Sequence, residues 1–554
     1  MPPAPSRPSV YLETFGCQMN VLDSQLVTGQ LRDLGYGFTD DWASADVVLF
    51  NTCSVREVAE NKVWSRIGLL GKHKREHPHV VVGVIGCMAE RDGEDLLRRH
   101  PQVNLLCGPA ELDRVPALID NELRTSVEER AGWTTPGNVR PSEGRVALQG
   151  GRGGLGRRTQ TADAAADTLE LVDLSRAFSA DDTSAAGKSA YVRITRGCNK
   201  LCTYCVVPHT RGEEVHRPPD AIVEECRKLA DASVLEVTLL GQTVNHYHFD
   251  QGAAVSLGGV VQPQVGTVIS PNAGTGGPSP VFSSTTVSFA DLLHRIHEEV
   301  PGIKRLRFVT SYPRDFGDDI LQVIRDSPRI CRYLHLPVQS GSDRVLARMN
   351  RGYRVAQFKE LVERVRRFLP DAQMATDVIT GFPGETEEDH EKTAELLAWS
   401  RFKNSFLFKY SPRPGTPAFD RMADDVPTEV KRRRNRELVE LQNRISAEVS
   451  AEQVGKRFEV FVEGVSAKVA KAAARAQAGV GVGGVELGWE TRRAAPAAVA
   501  EEEVTQLSGR TGGDLIAVFE GPESLIGTLA EVEVESASAL TLKGRLVPAA
   551  PPPT

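Results

Sequence analysis

A single loop limits what this chain can be. From Tyr191 to Pro218 it reads YVRITRGCNKLCTYCVVPHTRGEEVHRP, which places Cys198, Cys202 and Cys205 in C-x3-C-x2-C spacing directly after a strand-like run. Three thiolates on one short loop can hold three irons of a 4Fe-4S cube and leave the fourth iron without a protein ligand. Structural zinc is the alternative, but it takes four closed ligands in paired knuckles, and this loop offers three.

At 554 residues the chain exceeds one hydrophobic core, so several domains are expected. Its 66 basic and 73 acidic residues give a formal charge of -7, which is not the profile of a general nucleic-acid binder, so any RNA contact must be local. The first residues, MPPAPSRPSV, contain no apolar signal segment, and nine cysteines without one point to a reducing cytoplasmic setting in which clustered thiols mean metal or catalysis. No apolar run reaches the length of a membrane span.

Residues 8–125 alternate strand and helix patterns, and the runs at Val10–Thr14, Asp46–Asn51 and Val80–Gly86 each lead into a cysteine: Cys17 in GCQMN, Cys53 in NTCSVRE and Cys87 in GCMA. Leu22, Leu26, Leu31 and Leu34 share one helical face, and Val58, Val63, Ile67 and Leu70 another. In a parallel β-α-β sheet the loops after the strands gather at one edge, so three thiols scattered along the sequence would converge there. Buried core cysteines remain the other reading. Cys107, which lacks such a loop context, reads as structural, as do Cys226 on an apolar helix face and Cys331 before a strand.

Residues 136–188, rich in Gly, Arg, Ala and Thr, read as a flexible linker. A central domain over 189–420 then repeats strand and helix six times, with strands expected at 191–195, 234–240, 304–310, 332–338, 373–380 and 404–410. Six units make a partial (β/α)6 barrel, open on one side and with its active groups at the strand C-termini. Those ends carry LLGQTVN, HLPVQSGS and ITGFPGET; Gly241 and Gly381 would let backbone approach a ligand, and Gln242, Asn245, Gln339, Ser340 and Asp377 could hydrogen-bond it. Residues 250–286 interrupt the domain as a surface insert. A connector over 421–450 carries Lys431, Arg432, Arg433, Arg434 and Arg436, candidates for phosphate contact or for a solvated helix face. The last part, 451–546, alternates apolar and polar residues around Gly turns, as a small β-barrel does, with an Ala- and Gly-rich insert at 467–503.

Taken in this order, an N-terminal parallel-sheet α/β domain, a partial barrel with the cysteine loop and a small barrel of TRAM type resemble the radical S-adenosylmethionine (SAM) methylthiotransferases. GCQMN, NTCSVRE, GCMA, CNKLCTYCVVPHTRGEEVHRP, HLPVQSGSD, GFPGET and LSGRTG are similar to the bacterial tRNA branch of that family. The resemblance implies two 4Fe-4S clusters, one on Cys198, Cys202 and Cys205 and an auxiliary one on Cys17, Cys53 and Cys87. It also implies SAM used twice, once as methyl donor and once as radical source, with Tyr204 beside the adenine. His209, Arg211, Glu213 and Arg217 would orient SAM or the base. The implied reaction is methylthiolation of C2 of N6-isopentenyladenosine at tRNA position 37, presented on an anticodon loop. The partners would be that tRNA and a low-potential electron donor of flavodoxin or ferredoxin type, with the enzyme acting as a cytoplasmic monomer away from any membrane. A sister activity on threonylcarbamoyladenosine or a ribosomal-protein aspartate, and a zinc-containing RNA-binding protein, are the alternatives.

Overall fold

The computed structural model describes residues 8–54, 57–130, 145–148, 185–250, 255–257, 260–262, 286–471 and 504–548. Most of the expected linker and of the two inserts lies outside them.

The N-terminal sheet contains β1 (Ser9–Phe15), β2 (Gly37–Phe38), β3 (Val47–Thr52), β4 (Val81–Gly86), β5 (Leu105–Cys107) and β6 (Val146–Ala147), all parallel, in the order β2-β1-β3-β4-β5-β6. Strands β3 and β4 are buried throughout, because alternate residues face helices on both sides. Val47, Leu49, Val81 and Ile85 pack with Val27 and Leu31 of the helix Gln18–Asp33 and with Val115 and Ile119 of the helix Val115–Arg130. Val48, Phe50, Val82 and Val84 meet Val63, Ile67 and Leu70 of the helix Glu57–Glu76. Strand β6 corrects the linker boundary. Val146 and Ala147 lie inside the stretch expected to be a linker, yet they extend the sheet beside Leu106 and Cys107, where Ala147 is buried.

The expectation of one apolar face on the helix Gln18–Asp33 is also corrected. Leu31 faces its own sheet and Leu34 is exposed, whereas Met19, Leu22 and Leu26 pack against Leu240, Tyr191 and Val309 of the central domain. One helix therefore serves two cores.

The central domain has the main strands β7 (Ser189–Arg193), β10 (Glu236–Leu240), β15 (Arg305–Phe308), β16 (Tyr333–His335), β17 (Gln373–Thr380) and β18 (Asn404–Lys409), with short strands between them. They form two parallel three-stranded sheets, β7-β10-β15 and β16-β17-β18. A bridge from Leu306 to Ile330 joins the sheets, with Cys331 N–H donating to Leu306 O at 2.8 Å. Six strands in chain order with helices outside make the open barrel. Of the intervening strands, β8 (Thr195–Arg196) and β9 (Val215–His216) form a hairpin that closes the cysteine loop, and β11 (His248–Asp250) pairs with β14 (Thr286–Ser288). Within the expected insert, β12 (Val255–Leu257) and β13 (Val260–Gln262) pair with each other.

The basic connector is not a separate element. The helix Thr428–Ala451 buries Leu438, Ile445 and Val449 in the core of the central domain, and Gln442 bonds Phe402 O (2.8 Å) and Ser405 Oγ (2.6 Å). It covers the free edge of β18, the remedy an exposed edge strand requires.

Five strands, β19 (Arg457–Val465), β20 (Val504–Thr511), β21 (Ile516–Pro522), β22 (Leu529–Ala537) and β23 (Thr541–Leu546), close a barrel in the order β19-β20-β21-β23-β22. The insert expected within this module falls in sequence between β19 and β20, which pair antiparallel, so the barrel is closed all the same. The barrel's Thr511–Asp514 turn docks at the N-terminal ends of the central strands. There Arg305 donates to Arg510 O (2.8 Å) and Thr511 O (2.7 Å), and Arg307 donates to Asp514 (3.0 Å).

Candidate functional site

The sheet register brings the N-terminal thiols together. Phe15, Thr52 and Gly86 are aligned across the adjacent strands β1, β3 and β4, so Cys17, Cys53 and Cys87 leave the sheet at one level. Cys107 is paired one step lower, opposite Ile85, and its thiol donates to Glu111 O at 3.0 Å inside the core, in keeping with a structural role.

Cys17 caps one helix and Cys87 opens another, Cys87–Asp92, so both thiols stand at helix N-termini. A hydrogen bond with Cys53 and, after it, the Arg211 guanidinium hold the Cys17 thiol down at about 6 against the opposing effect of burial. Burial pushes Cys87 up, and Arg211 works against it.

Two asparagines that the sequence reading missed support this triad. Asn20 Nδ2 donates to Asn51 Oδ1 (3.0 Å), and Asn51 Nδ2 donates to Asn20 O (2.8 Å) and Ser24 Oγ (2.9 Å). Asn20 Oδ1 accepts from Cys17 N–H (3.3 Å) and Cys17 Sγ (3.4 Å). Gly86, at φ +90°, has no room for a side chain against Asn51 and Thr52. The signal was present: Asn20 ends GCQMN and Asn51 precedes the TCSVRE loop.

The central loop is held as tightly. Gly197 has φ +74°, and any side chain there would collide with Glu213 O across the hairpin. Cys198 Sγ lies 3.6 Å from Thr243 Oγ1, and Cys205 N–H donates to Cys202 O at 3.0 Å. Burial, and then the neighbouring Cys202, pushes Cys205 up to about 12. Arg351, also unforeseen, donates to Cys202 Sγ at 3.4 Å from a buried position over the Tyr312 and Tyr353 rings. A buried guanidinium beside Cys202, whose charge Cys205 also feels, suits thiolates and a polyanionic cluster, since the cation needs negative charge beside it.

Between the two triads runs the helix Val207–Arg211. Arg211, expected to orient SAM or the base, instead reaches into the N-terminal domain and donates to Asp23 Oδ2 at 2.7 Å, with side chains 3% and 0% exposed. Both Cys17 and Cys87 feel its charge.

The other candidates separate clearly. Tyr204 packs its ring edge to face on Phe382, near Val345 and Met349, and its hydroxyl is 3.5 Å from Arg351. Gln242 Oε1 is buried without a partner, as a ligand-facing acceptor would be. Gln339 takes φ +75° and bonds through its backbone to Asp377 O and Ile379 N–H; Asp377 accepts from His335 at 3.1 Å.

Five of the expected ligand contacts have partners within the chain. Asn245 spends both ends of its amide on the Tyr312 backbone (2.9 and 2.7 Å). Ser340 is buried against Ser342 N–H and Thr393. Gly381 makes room for Lys431, Gly241 for Thr195, and Arg217 braces Glu225 (2.7 Å) and Arg193 O (2.6 Å). His209 and Glu213 are exposed.

The basic run is also corrected. Lys431 is buried on Asp424, and Arg434 is buried between Glu385 (2.8 Å) and Glu387 (3.0 Å). Exposed Arg433 pairs with Glu387 and Glu437, and Arg432 with Glu429; Arg436 stands on the exposed face. A cavity of about 870 Å³ between the two α/β domains is largely charge-balanced, since Arg91, Arg98 and Arg413 there pair with Glu60, Asp92 and Asp95 and Arg99 lies over the Trp64 ring.

The family described as "Uncharacterized protein family UPF0004" matches residues 9–108, and the radical SAM superfamily matches 192–397. The chain is similar to the tRNA-2-methylthio-N(6)-dimethylallyladenosine synthase of Rhodopirellula baltica, 39% identical over 97% of this chain and 95% of that one. The protein of the same name from Carboxydothermus hydrogenoformans is 35% identical over 97% and 99%. Among solved structures, the radical SAM methyltransferase TsrM of Kitasatospora setae overlaps 74% of each chain at 15% identity and a TM-score of 0.49.

Proposed function

This chain belongs to the tRNA-2-methylthio-N(6)-dimethylallyladenosine synthase family, and from that premise we propose how its own residues divide the work. It is a radical SAM transferase that places a methylthio group on C2 of N6-isopentenyladenosine in tRNA. In our reading Cys198, Cys202 and Cys205 hold one 4Fe-4S cluster beside SAM, and Cys17, Cys53 and Cys87 hold the second. The C2–H bond of adenine is too weakly acidic for a side-chain base, so the bound clusters and SAM supply the one-electron chemistry and the sulfur.

The protein's part is charge balance, placement and exclusion of water. Arg351 sets a permanent positive charge against Cys202, and the Asn20 amide oxygen holds the backbone N–H of Cys17. The buried Gln242 oxygen is available to a donor on SAM, and Tyr204, Phe382, Val345 and Met349 keep the neighbourhood of the cysteine loop apolar. The base must leave its loop to reach such a site, as target bases do.

The observation that carries this reading is the Arg211–Asp23 pair, which fastens the segment following Cys205 to the helix that Cys17 caps. The two triads then work on one substrate from either side of that segment. The reading includes a flavodoxin- or ferredoxin-type electron donor, a monomeric enzyme and a cytoplasmic location, resting on the reducing conditions that free thiols need. No helix among the described residues is long and apolar enough to cross a membrane.

Two triple variants test it after anaerobic reconstitution. Replacing Cys198, Cys202 and Cys205 by Ala should leave about half the iron and abolish SAM cleavage. Replacing Cys17, Cys53 and Cys87 should leave the other half, with SAM cleavage but no methylthiolated nucleoside by mass spectrometry. Methylthiolation by the second variant would overturn the assignment.

A further inference from the structure

Three imidazoles meet beside the cysteine loop. His216 is the last residue of β9, His246 ends the turn Val244–His246, and His248 begins β11. One donor nitrogen of each lies within 4.8 Å of the others, and the ring centres of His216 and His248 are 4.4 Å apart. Tetrahedral coordination at about 2.0–2.1 Å sets nitrogen ligands about 3.4 Å apart, so side-chain rotations of about an ångström would close the group on one ion.

Their hydrogen bonds already select the tautomers that ligands need. His246 Nδ1 faces Glu214 Oε2 at 2.9 Å, the carboxylate–histidine arrangement that stands behind metal-bound imidazoles, and this makes Nε2 its lone-pair nitrogen. His248 Nδ1 faces His246 O at 2.8 Å, with the same consequence. His216 Nδ1 is buried with no hydrogen-bond partner. The Glu214 side chain is only 2% exposed, and its second oxygen, Oε1, is also without a partner.

Such orphaned atoms are costly in a buried site, and a bound cation would account for them. The charges facing the group are Glu214 and Asp315, set against Lys200, which is itself paired with Asp315; together they leave one negative charge. Tyr247 closes one side, its ring edge to face on His216 at 5.6 Å.

We propose that His216, His246 and His248, backed by Glu214, bind a divalent transition metal of the zinc class at a site separate from both cysteine triads. Imidazole donors in a compact group favour such an ion over magnesium or calcium. The position gives it a role. His216 pairs with Thr195 across the hairpin that leads into Gly197 and Cys198, and Glu214 N–H donates to Asn199 Oδ1 at 3.1 Å. On the other side, Thr243, three residues before His246, lies against Cys198 Sγ. A metal here ties together the two segments that flank Cys198 and fixes the loop that presents it.

The test uses the untagged full-length protein with its iron–sulfur content reconstituted, so that the cysteines are occupied. After removal of loosely held metal by EDTA, it is equilibrated with zinc and analysed for metal content and at the zinc X-ray absorption edge. The expected result is one zinc per chain with a nitrogen/oxygen shell near 2.0 Å and no sulfur at about 2.3 Å. The His246→Gln/His248→Gln variant should keep its iron and bind zinc at least ten-fold more weakly. No retained zinc, a sulfur-containing shell, or a folded variant that binds zinc as tightly as the natural chain would each overturn the proposal. Should the variant not fold, the edge spectrum of the natural chain decides alone.

Discussion

The guanidinium of Arg211 and the carboxylate of Asp23 meet at 2.7 Å across the boundary between the two α/β domains, both shielded from water. Removing one member of a buried pair leaves the other charge uncompensated, at a cost of about 3–5 kcal/mol. The pair also sits beside two thiols of the N-terminal triad, so its loss has a chemical as well as a structural effect.

Arg211→Met should therefore lower the melting temperature and raise the Cys17 thiol from about 6, because a permanent positive charge beside it has gone. Iron retained by the N-terminal triad should fall while SAM cleavage at the central loop persists. Metal analysis together with a 5′-deoxyadenosine assay checks this. Equal loss of both would mean that the pair acts on global stability alone.

Asn51→Ala removes two donated hydrogen bonds, to Asn20 O and Ser24 Oγ, and frees Asn20 from its partner. Buried partners left unsatisfied cost about 1–3 kcal/mol each. The expected outcome is reduced iron binding at Cys17, Cys53 and Cys87, with the central loop unaffected. Asn51→Asp should be no rescue, since a carboxylate cannot donate to the buried Asn20 carbonyl and sets a negative charge against it. Iron and sulfide content of the two variants, compared with the natural chain, decides it.

Much of this architecture could be read from periodicity. The six central strands and their helices fall within a few residues of their apolar runs, and three cysteines after three strands converge because a parallel sheet leaves them no other edge. What the sequence concealed was pairing at long range. Arg211 and Arg217 are six residues apart and equally basic, yet one crosses to Asp23 and the other braces Glu225. Gly381 looked like a site for ligand approach and serves Lys431, a residue fifty positions later that looked like a phosphate contact. Charge in a sequence carries no sign of its partner, so only the fold separates Arg434, locked on Glu385, from Arg432 on the surface.

That separation can be measured. Arg434→Ala should destabilise the chain by about 3–5 kcal/mol, because Glu385 is left buried without its cation. Arg432→Ala and Arg433→Ala break exposed pairs and should leave the melting temperature nearly unchanged. If Arg432, Arg433 and Arg436 grip tRNA phosphates, neutralising all three should flatten the salt dependence of binding by roughly 0.7–0.9 in log–log slope per lost contact. Superimposable salt series would make that face merely solvated.

The last prediction concerns the C-terminal barrel, in whose docking one carboxylate receives two cations from the central domain. Asp514, in a left-handed turn at φ +62°, accepts from Arg307 and Arg510 at 3.0 Å each and from Lys403 at 3.2 Å. Burial opposes its charge, but Lys403, Arg510 and Arg307 outweigh burial and hold the carboxyl down at about 2. A carboxyl lowered in the folded state stabilises above its unfolded value, near 4, and that stabilisation fades as pH falls through about 2. Asp514→Asn should therefore weaken docking at neutral pH and remove this acid-labile component. Because Lys403 would lose its counter-ion and Arg307 would keep only Glu236, the variant should melt at lower temperature and become open to protease between the central domain and β19, while the triads at the opposite strand ends keep their iron. Limited proteolysis and thermal melts from pH 7 downward distinguish the outcomes. If the variant and the natural chain resist protease equally, the turn's backbone bonds to Arg305 and Arg307 hold the barrel without the carboxylate.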